Sequence, residues 1–127
     1  RTIGDASLGL NILQGGTVAT ALAGETAARE MLIARYRVPQ PRNALALAVR
    51  EFASASMDLS DGLAGDFATL CAASGVSASL DVPSIPLSAP AAALVAGNVA
   101  AIETLISAGD DYESVCTVPE QRCAAFS

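Results

Sequence analysis

The sequence predicts an α/β (α+β) domain, a mixed sheet packed with helices. Short apolar runs of strand length alternate with longer stretches whose apolar residues recur every three or four positions. Hydrophobic residues make up 52% of the 127, enough for one domain with a real core. They are mostly Ala, Leu and Val, with aromatics at only 4%, a composition suited to closely packed helices and strands. The order of elements, helices then strand–helix–strand then helices then strand–helix, is that of a sheet covered by helices.

Thr2-Ile3-Gly4-Asp5 reads as a turn into a short helix with Asp5 as its N-cap. Leu8, Ile12 and Leu13 form the apolar stripe, and Gln14-Gly15-Gly16-Thr17 ends it. From there to Gly24 the pattern is ambiguous and a mobile loop is expected. Residues 25–37 are helical, with Ala28, Met31, Leu32 and Arg35 at three- and four-residue spacing. Val38-Pro39-Gln40-Pro41 breaks that helix, because proline excludes its continuation. Helical character resumes over 42–54, with Leu45, Ala48, Val49 and Phe52 on one face. Residues 55–59 are an apolar run of the buried-strand kind, followed by the loop Ser60-Asp61-Gly62. A helix over 62–73 is stopped by Ser74-Gly75. Alternating polar and apolar residues predict a strand over 76–82, and Pro83, Pro86 and Pro90 punctuate a loop. Helices are predicted over 91–96 and 99–108, divided at Gly97-Asn98. Residues 112–118 predict a strand, and Pro119 opens a last helix at its first turn.

Composition removes several kinds of chemistry. Net charge is −6, which disfavours nonspecific nucleic-acid binding. All seven basic residues are Arg, so no lysine is present for a P-loop or a Schiff base. The absence of histidine removes the usual general base and the usual zinc ligand. Cys71, Cys116 and Cys123 are odd in number and contain no C-x-x-C pair, so structural thiols in a reducing, cytoplasmic compartment are expected, buried except that Cys123, near the end, has room to be exposed. No apolar run reaches the roughly 18–20 residues of a membrane helix, and no signal peptide is visible. The chain opens on Arg1 rather than Met and stops at Phe126-Ser127 within a helical pattern, so a fragment of a longer protein is expected.

The residues that carry chemistry lie in two acidic clusters. The first is Met57-Asp58-Leu59-Ser60-Asp61-Gly62-Leu63, followed by Asp66. Alternate strand residues share a side, so Asp58 and Ser60 face one way, and Asp61 lies where strand gives way to helix. Gly62 permits a tight turn and close approach of a ligand to the backbone. Free N–H groups at the start of the helix favour a phosphate. Two carboxylates about 4 Å apart repel by roughly 1–4 kcal/mol at effective dielectrics of about 80 to 20. A divalent cation such as Mg²⁺ reverses the sign of that interaction and brings phosphates with it, which points to phosphoryl transfer. The plainer alternative is that Ser60 or Asp61 caps the helix and Asp66 sits on a solvated face. The second cluster, Gly109-Asp110-Asp111-Tyr112-Glu113, falls between a helix and a strand, a usual place for binding residues. Its plainer alternative is a Gly-Asp turn with Tyr112 as a partly buried strand residue.

Taken together, these motifs resemble the thiamine-monophosphate kinase family, within the superfamily of aminoimidazole ribonucleotide synthetase and selenophosphate synthetase. The resemblance also takes in residues 2–10, 35–42 and 85–88, and Thr117-Val118-Pro119. It implies the carboxy-terminal α/β domain of a two-domain kinase, truncated, spanning 1–127. The amino-terminal domain, with most of the Mg²⁺-binding aspartates, much of the ATP site and the dimer interface, would lie outside the chain. It implies Asp58 and Asp61 as Mg²⁺ ligands and Ser60 as an ATP contact. Asp110 stands where the family has a Glu that contacts the thiamine substrate, and Ala108 and Ser114 replace the family's usual Gly and Leu. The implied reaction is direct in-line transfer from ATP to thiamine monophosphate, with no catalytic residue in this chain, in a homodimeric parent with no nucleic-acid or membrane partner. Rival readings are another ATP-using enzyme of the superfamily and a non-catalytic ligand-binding or association domain.

Overall fold

The computed structural model describes residues 2–126. Arg1 and Ser127, the ends of the expected domain, lie outside the described residues. The elements are α1 (Asp5–Leu13), α2 (Thr17–Ala21), α3 (Thr26–Arg37), α4 (Ala46–Phe52), β1 (Ala55–Leu59), α5 (Leu63–Ser74), α6 (Ala89–Ala96), α7 (Ile102–Ser107), β2 (Glu113–Thr117) and α8 (Glu120–Phe126). Single 3-10 turns occupy Asn43–Leu45 and Val82–Ser84. The molecule is therefore mostly helical, around one small sheet.

That sheet corrects the expected mixed one. Among the described residues it has two strands, β1 and β2, paired antiparallel with Ala55 opposite Thr117 and Leu59 opposite Glu113. The strand expected over 76–82 does not form. Val76 is 60% exposed and Val82 42%, so the alternating pattern there has no core to face. Leu80 alone turns inward, against the cluster that holds Leu59 and Leu63.

The start of the chain brings a second correction. Gly4, not Asp5, is the N-cap of α1, in the left-handed conformation at φ 85°. A Cβ at Gly4 would stand 2.6 Å from the Leu105 Cβ, so the close approach of α7 and the backbone sign both require glycine. Asp5 becomes the first residue of the helix, with its carboxylate buried.

The expected loop after α1 contains α2. Asn11 Oδ1 accepts the Val18 N–H at 3.0 Å and supplies the orphan donor of that short helix with a partner. Val18 and Leu22, four residues apart, bury together against α1. At the other end of the chain, α7 begins at Ile102 rather than at residue 99. The N–H groups of Val99 and Ala100 both return to the Leu94 carbonyl and close off α6.

Two apolar clusters hold these elements. The larger joins Leu8 and Ile12 of α1, Leu32 of α3, Leu94 of α6 and Leu105 of α7. Gly9 lets α1 and α3 approach closely, since a Cβ there would lie 2.8 Å from the Leu32 carbonyl carbon. The smaller cluster joins Ile3, Leu59 and Leu63 with Ile106 and Val115. It lies where β1, β2 and the start of α5 converge, and each of its fully buried side chains contributes about 1.5–3 kcal/mol. The expected apolar faces of α1 and of residues 42–54 are partly open: Leu13 is 41% exposed, and Leu45, in the 3-10 turn before α4, is 46% exposed. Phe52 instead meets Phe126 of α8 edge-on, with centroids 6.4 Å apart. No helix among the described residues is long and apolar enough to cross a membrane.

Candidate functional site

The two acidic loops are one structure. The Asp110 N–H donates to the Ser60 carbonyl at 3.1 Å. Gly109 lies against that same carbonyl, where any side chain would collide with it. Gly62, at φ 109°, is the reciprocal contact: a Cβ on it would stand 2.7 Å from the Ser107 carbonyl carbon. Glycine is therefore needed on both sides of the seam.

Asp66 sets the first loop. It is 6% exposed, not solvated, and its Oδ2 accepts from Ser60 N at 2.8 Å and Asp61 N at 3.0 Å. The carboxylate on the first turn of α5 thus reaches back and folds the loop over the helix start. Gly62 occupies the N-cap position with no side-chain cap bond, so neither Ser60 nor Asp61 serves as a cap.

The second loop is held at two alternate residues. Asp111 accepts from Gly4 N at 2.6 Å and Ala6 N at 3.1 Å, which ties the loop to the start of α1. Burial pushes the Asp111 carboxyl above its usual range, partly offset by those two N–H bonds. Glu113 takes a guanidinium bond from Arg35 at 2.9 Å and a two-point bond from Arg42. Burial alone would raise Glu113; the bonds from Arg42 and Arg35 outweigh it and hold the group below the ordinary value. The same bond to Glu113 raises Arg42. Asp5 completes the set, accepting from Ser88 Oγ at 2.6 Å with Arg35 Nε at 3.9 Å.

The acids therefore fall into two groups. Asp5, Asp66, Asp111 and Glu113 are buried, and each accepts hydrogen bonds from the protein. Asp58, Asp61 and Asp110 are exposed, and among the described residues their carboxylates make no hydrogen bond or ion pair. Those three are the acids that the sequence nominated for ligands. Ser60 is exposed beside them, and Asp58 lies opposite Ser114 on the sheet ladder. A cavity of about 280 Å³ opens beside Asp58, lined also by Arg42, Val49, Met57 and Ser114.

The donor set bears on the expected metal. Among the described residues no group of three or more Cys, Asp or Glu side chains is placed to hold a cation. Asp58 and Asp61 could give Mg²⁺ a partial shell. That suits an ion that keeps several waters and takes further oxygens from phosphates, rather than one that needs a complete protein cage.

Tyr112 departs from its expected place as a partly buried strand residue. It is 51% exposed at φ 51°, and β2 begins one residue later. Asp110 is also left-handed, at φ 70°. Sequence reasoning did not anticipate Asp5, Asp66, Asp111, Arg35, Arg42 and Glu113 as the supports of this site. Arg35 carried a signal: an arginine in the apolar stripe of α3 requires a buried acid opposite it. Cys71 is half-buried and Cys123 is exposed, and burial pushes the Cys116 thiol up.

No family model matches the chain. It is 39% identical to the thiamine-monophosphate kinase of Caulobacter vibrioides over 98% of this chain and 34% of that protein. The crystal structure of thiamine-monophosphate kinase from Stenotrophomonas maltophilia K279a superposes with a TM-score of 0.80 at 32% identity, over 98% of this chain and 39% of that one. AaThiL complexed with AMPPCP and TMP superposes with a TM-score of 0.81 at 29% identity, over 99% of this chain and 40% of that one. The chain thus spans 34% to 40% of the length of these relatives.

Proposed function

Proceeding from this chain's homology to part of thiamine-monophosphate kinase, we propose that the whole protein transfers the γ-phosphoryl group of ATP to thiamine monophosphate. The acceptor phosphate oxygen attacks in line, the bond to the ADP oxygen breaks, and thiamine diphosphate and ADP leave. No phosphorylated side chain intervenes, and this chain supplies no catalytic nucleophile.

Asp58 and Asp61 hold Mg²⁺, which when bound neutralises charge on the phosphates. The Ser60 hydroxyl orients an ATP phosphate, beside the N–H groups that open α5. Asp110 approaches the thiamine moiety. The buried acids keep both loops in place, so little reorganisation is required when the charged ligands arrive. Further Mg²⁺ ligands, the rest of the ATP site and a homodimer contact come from other parts of the protein, which works in the cytoplasm.

The observation that carries this reading is the likeness, across nearly the whole chain and both acidic loops, to a structure complexed with AMPPCP and TMP. The test is ATP- and Mg²⁺-dependent formation of thiamine diphosphate by the full-length protein, with the 127 residues assayed alongside. Turnover by the full-length protein and little or none by the isolated chain is the expected result. A folded full-length protein that leaves thiamine monophosphate untouched would overturn the reading in favour of a sibling substrate or a binding role.

A further inference from the structure

We propose that the Tyr112 ring is a stacking platform for the flat, cationic heteroaromatic part of the acceptor substrate, two residues along the loop from Asp110. The inference rests on the kinase reading above and adds a specificity-determining residue to it.

The argument begins with backbone strain. Tyr112 holds φ 51° and Asp110 φ 70°. Aspartate tolerates the left-handed region; a tyrosine there is uncommon and persists only where its surroundings over-determine it. Here they do. Asp111, on one side of Tyr112, is fixed by Gly4 N and Ala6 N. Glu113, on the other, is fixed by Arg35 and Arg42. Two buried clamps therefore hold one residue between them in a costly conformation.

The consequence is the position of an aromatic side chain. The apolar cluster of Leu59, Leu63 and Val115 does not include the tyrosine ring. Tyr112 instead stays half in solvent, at 51% exposure. Asp110, Tyr112 and Ser114 are exposed while Asp111 and Glu113 between them are buried. Ser114 lies opposite Asp58. Along the chain, then, Tyr112 stands between the acid assigned to the thiamine moiety and the rung that carries a phosphate-side carboxylate.

The chemistry selects the kind of ligand. An aromatic face carries partial negative charge, and a carboxylate next to it adds to the attraction for a delocalised cation. A flat cationic ring gains from both, whereas a neutral ring of the same shape gains from stacking alone.

The experiment uses the full-length protein with two substitutions. Tyr112→Phe keeps the ring and removes the hydroxyl. Tyr112→Asn removes the ring but suits the left-handed backbone, which asparagine adopts more readily than most residues. The readouts are KM for thiamine monophosphate, KM for ATP, thermal midpoint, and calorimetric binding of thiamine monophosphate and its uncharged isostere, in which carbon replaces the thiazolium nitrogen. Tyr112→Phe is expected to stay within about 3-fold of the unaltered protein, and Tyr112→Asn to weaken thiamine monophosphate by roughly 10-fold. ATP affinity should hold, and the preference for the cation over its neutral isostere should fall in Tyr112→Asn. An unchanged preference in Tyr112→Asn overturns the platform. So does a Tyr112→Phe loss as large as that of Tyr112→Asn, which would assign the contact to the hydroxyl, and so does a parallel loss of ATP affinity and thermal midpoint. Binding is measured apart from turnover, so a protein that binds the cation through Tyr112 without phosphorylating it retains the platform and loses the kinase reading. A protein that binds no thiamine monophosphate loses both.

Discussion

Asp58 and Asp66 are both aspartates of the first motif, and the structure gives them opposite roles. Asp58 is exposed and makes no hydrogen bond or ion pair among the described residues, as is true of Asp61. Replacing either by Asn removes a charge that nothing in the fold uses, so stability should move by no more than about 0.5 kcal/mol. Under the kinase reading, Mg²⁺-dependent turnover by the full-length protein should nonetheless fall steeply. A melting curve beside a Mg²⁺ titration of activity checks the pair of statements, and undiminished activity would remove both residues from the metal site. Asp66 should behave in reverse. Asp66→Ala strands the N–H groups of Ser60 and Asp61, at a cost of about 1–3 kcal/mol each if they stay dry. Thermal stability should drop, and under the kinase reading KM for ATP should rise because Ser60 loses its placement. The sequence made the exposed acids Asp58 and Asp61 legible as ligand candidates because they stand at a strand-to-helix junction. It hid the role of Asp66, since a carboxylate on the first turn of a helix reads as a solvated residue until the loop is seen folding over it.

Among the elements, those with a clear period or stop signal were legible. Helices α1, α3 and α5 and strands β1 and β2 lie close to where spacing, prolines and Ser74-Gly75 put them. The helix α2 and the missing strand over 76–82 were not, and for the same reason. Whether Val18 or Val76 is buried depends on what packs over it, and local alternation says nothing of that. Nor could spacing show that α3, the segment after its prolines and β2 meet through Arg35, Arg42 and Glu113. That junction gives a pH dependence with a defined sign. Glu113 has its folded-state value lowered, so the stability it adds is present above the ordinary carboxylate value and is lost as pH falls through the depressed one. Asp111 is raised, so its contribution runs the other way, present at low pH and lost as pH rises through its folded value. Glu113→Gln should destabilise the protein at neutral pH, where it leaves Arg35 and Arg42 short of a counter-charge. The penalty should shrink on acidification below the usual carboxylate range. Denaturant midpoints for both proteins across that range check it; a penalty independent of pH would mean that Glu113 acts through shape and not charge.

For the whole molecule, what holds the two loops together bears on what a metal contributes. A two-stranded sheet is marginal alone, and here it is supported by the smaller apolar cluster and by buried acids that all bond to protein donors. None of those four acids needs a cation to satisfy it. The exposed acids do not close a cation site among the described residues either. A ligand stabilises a fold only by the free energy with which it binds the folded state. Mg²⁺ should therefore add little to this chain on its own, because two exposed carboxylates offer it only a partial shell. Chelation with EDTA should leave the thermal midpoint of the 127-residue chain within about 1 °C of its value in Mg²⁺, a shift worth only a few tenths of a kcal/mol. Under the kinase reading, the same treatment should abolish phosphoryl transfer by the full-length protein, with ATP phosphates and additional residues completing the shell. A drop of several degrees in the chain alone would show that Asp58 and Asp61 already form a closed metal site, and the division between acids that build the loops and acids left exposed would have to be redrawn.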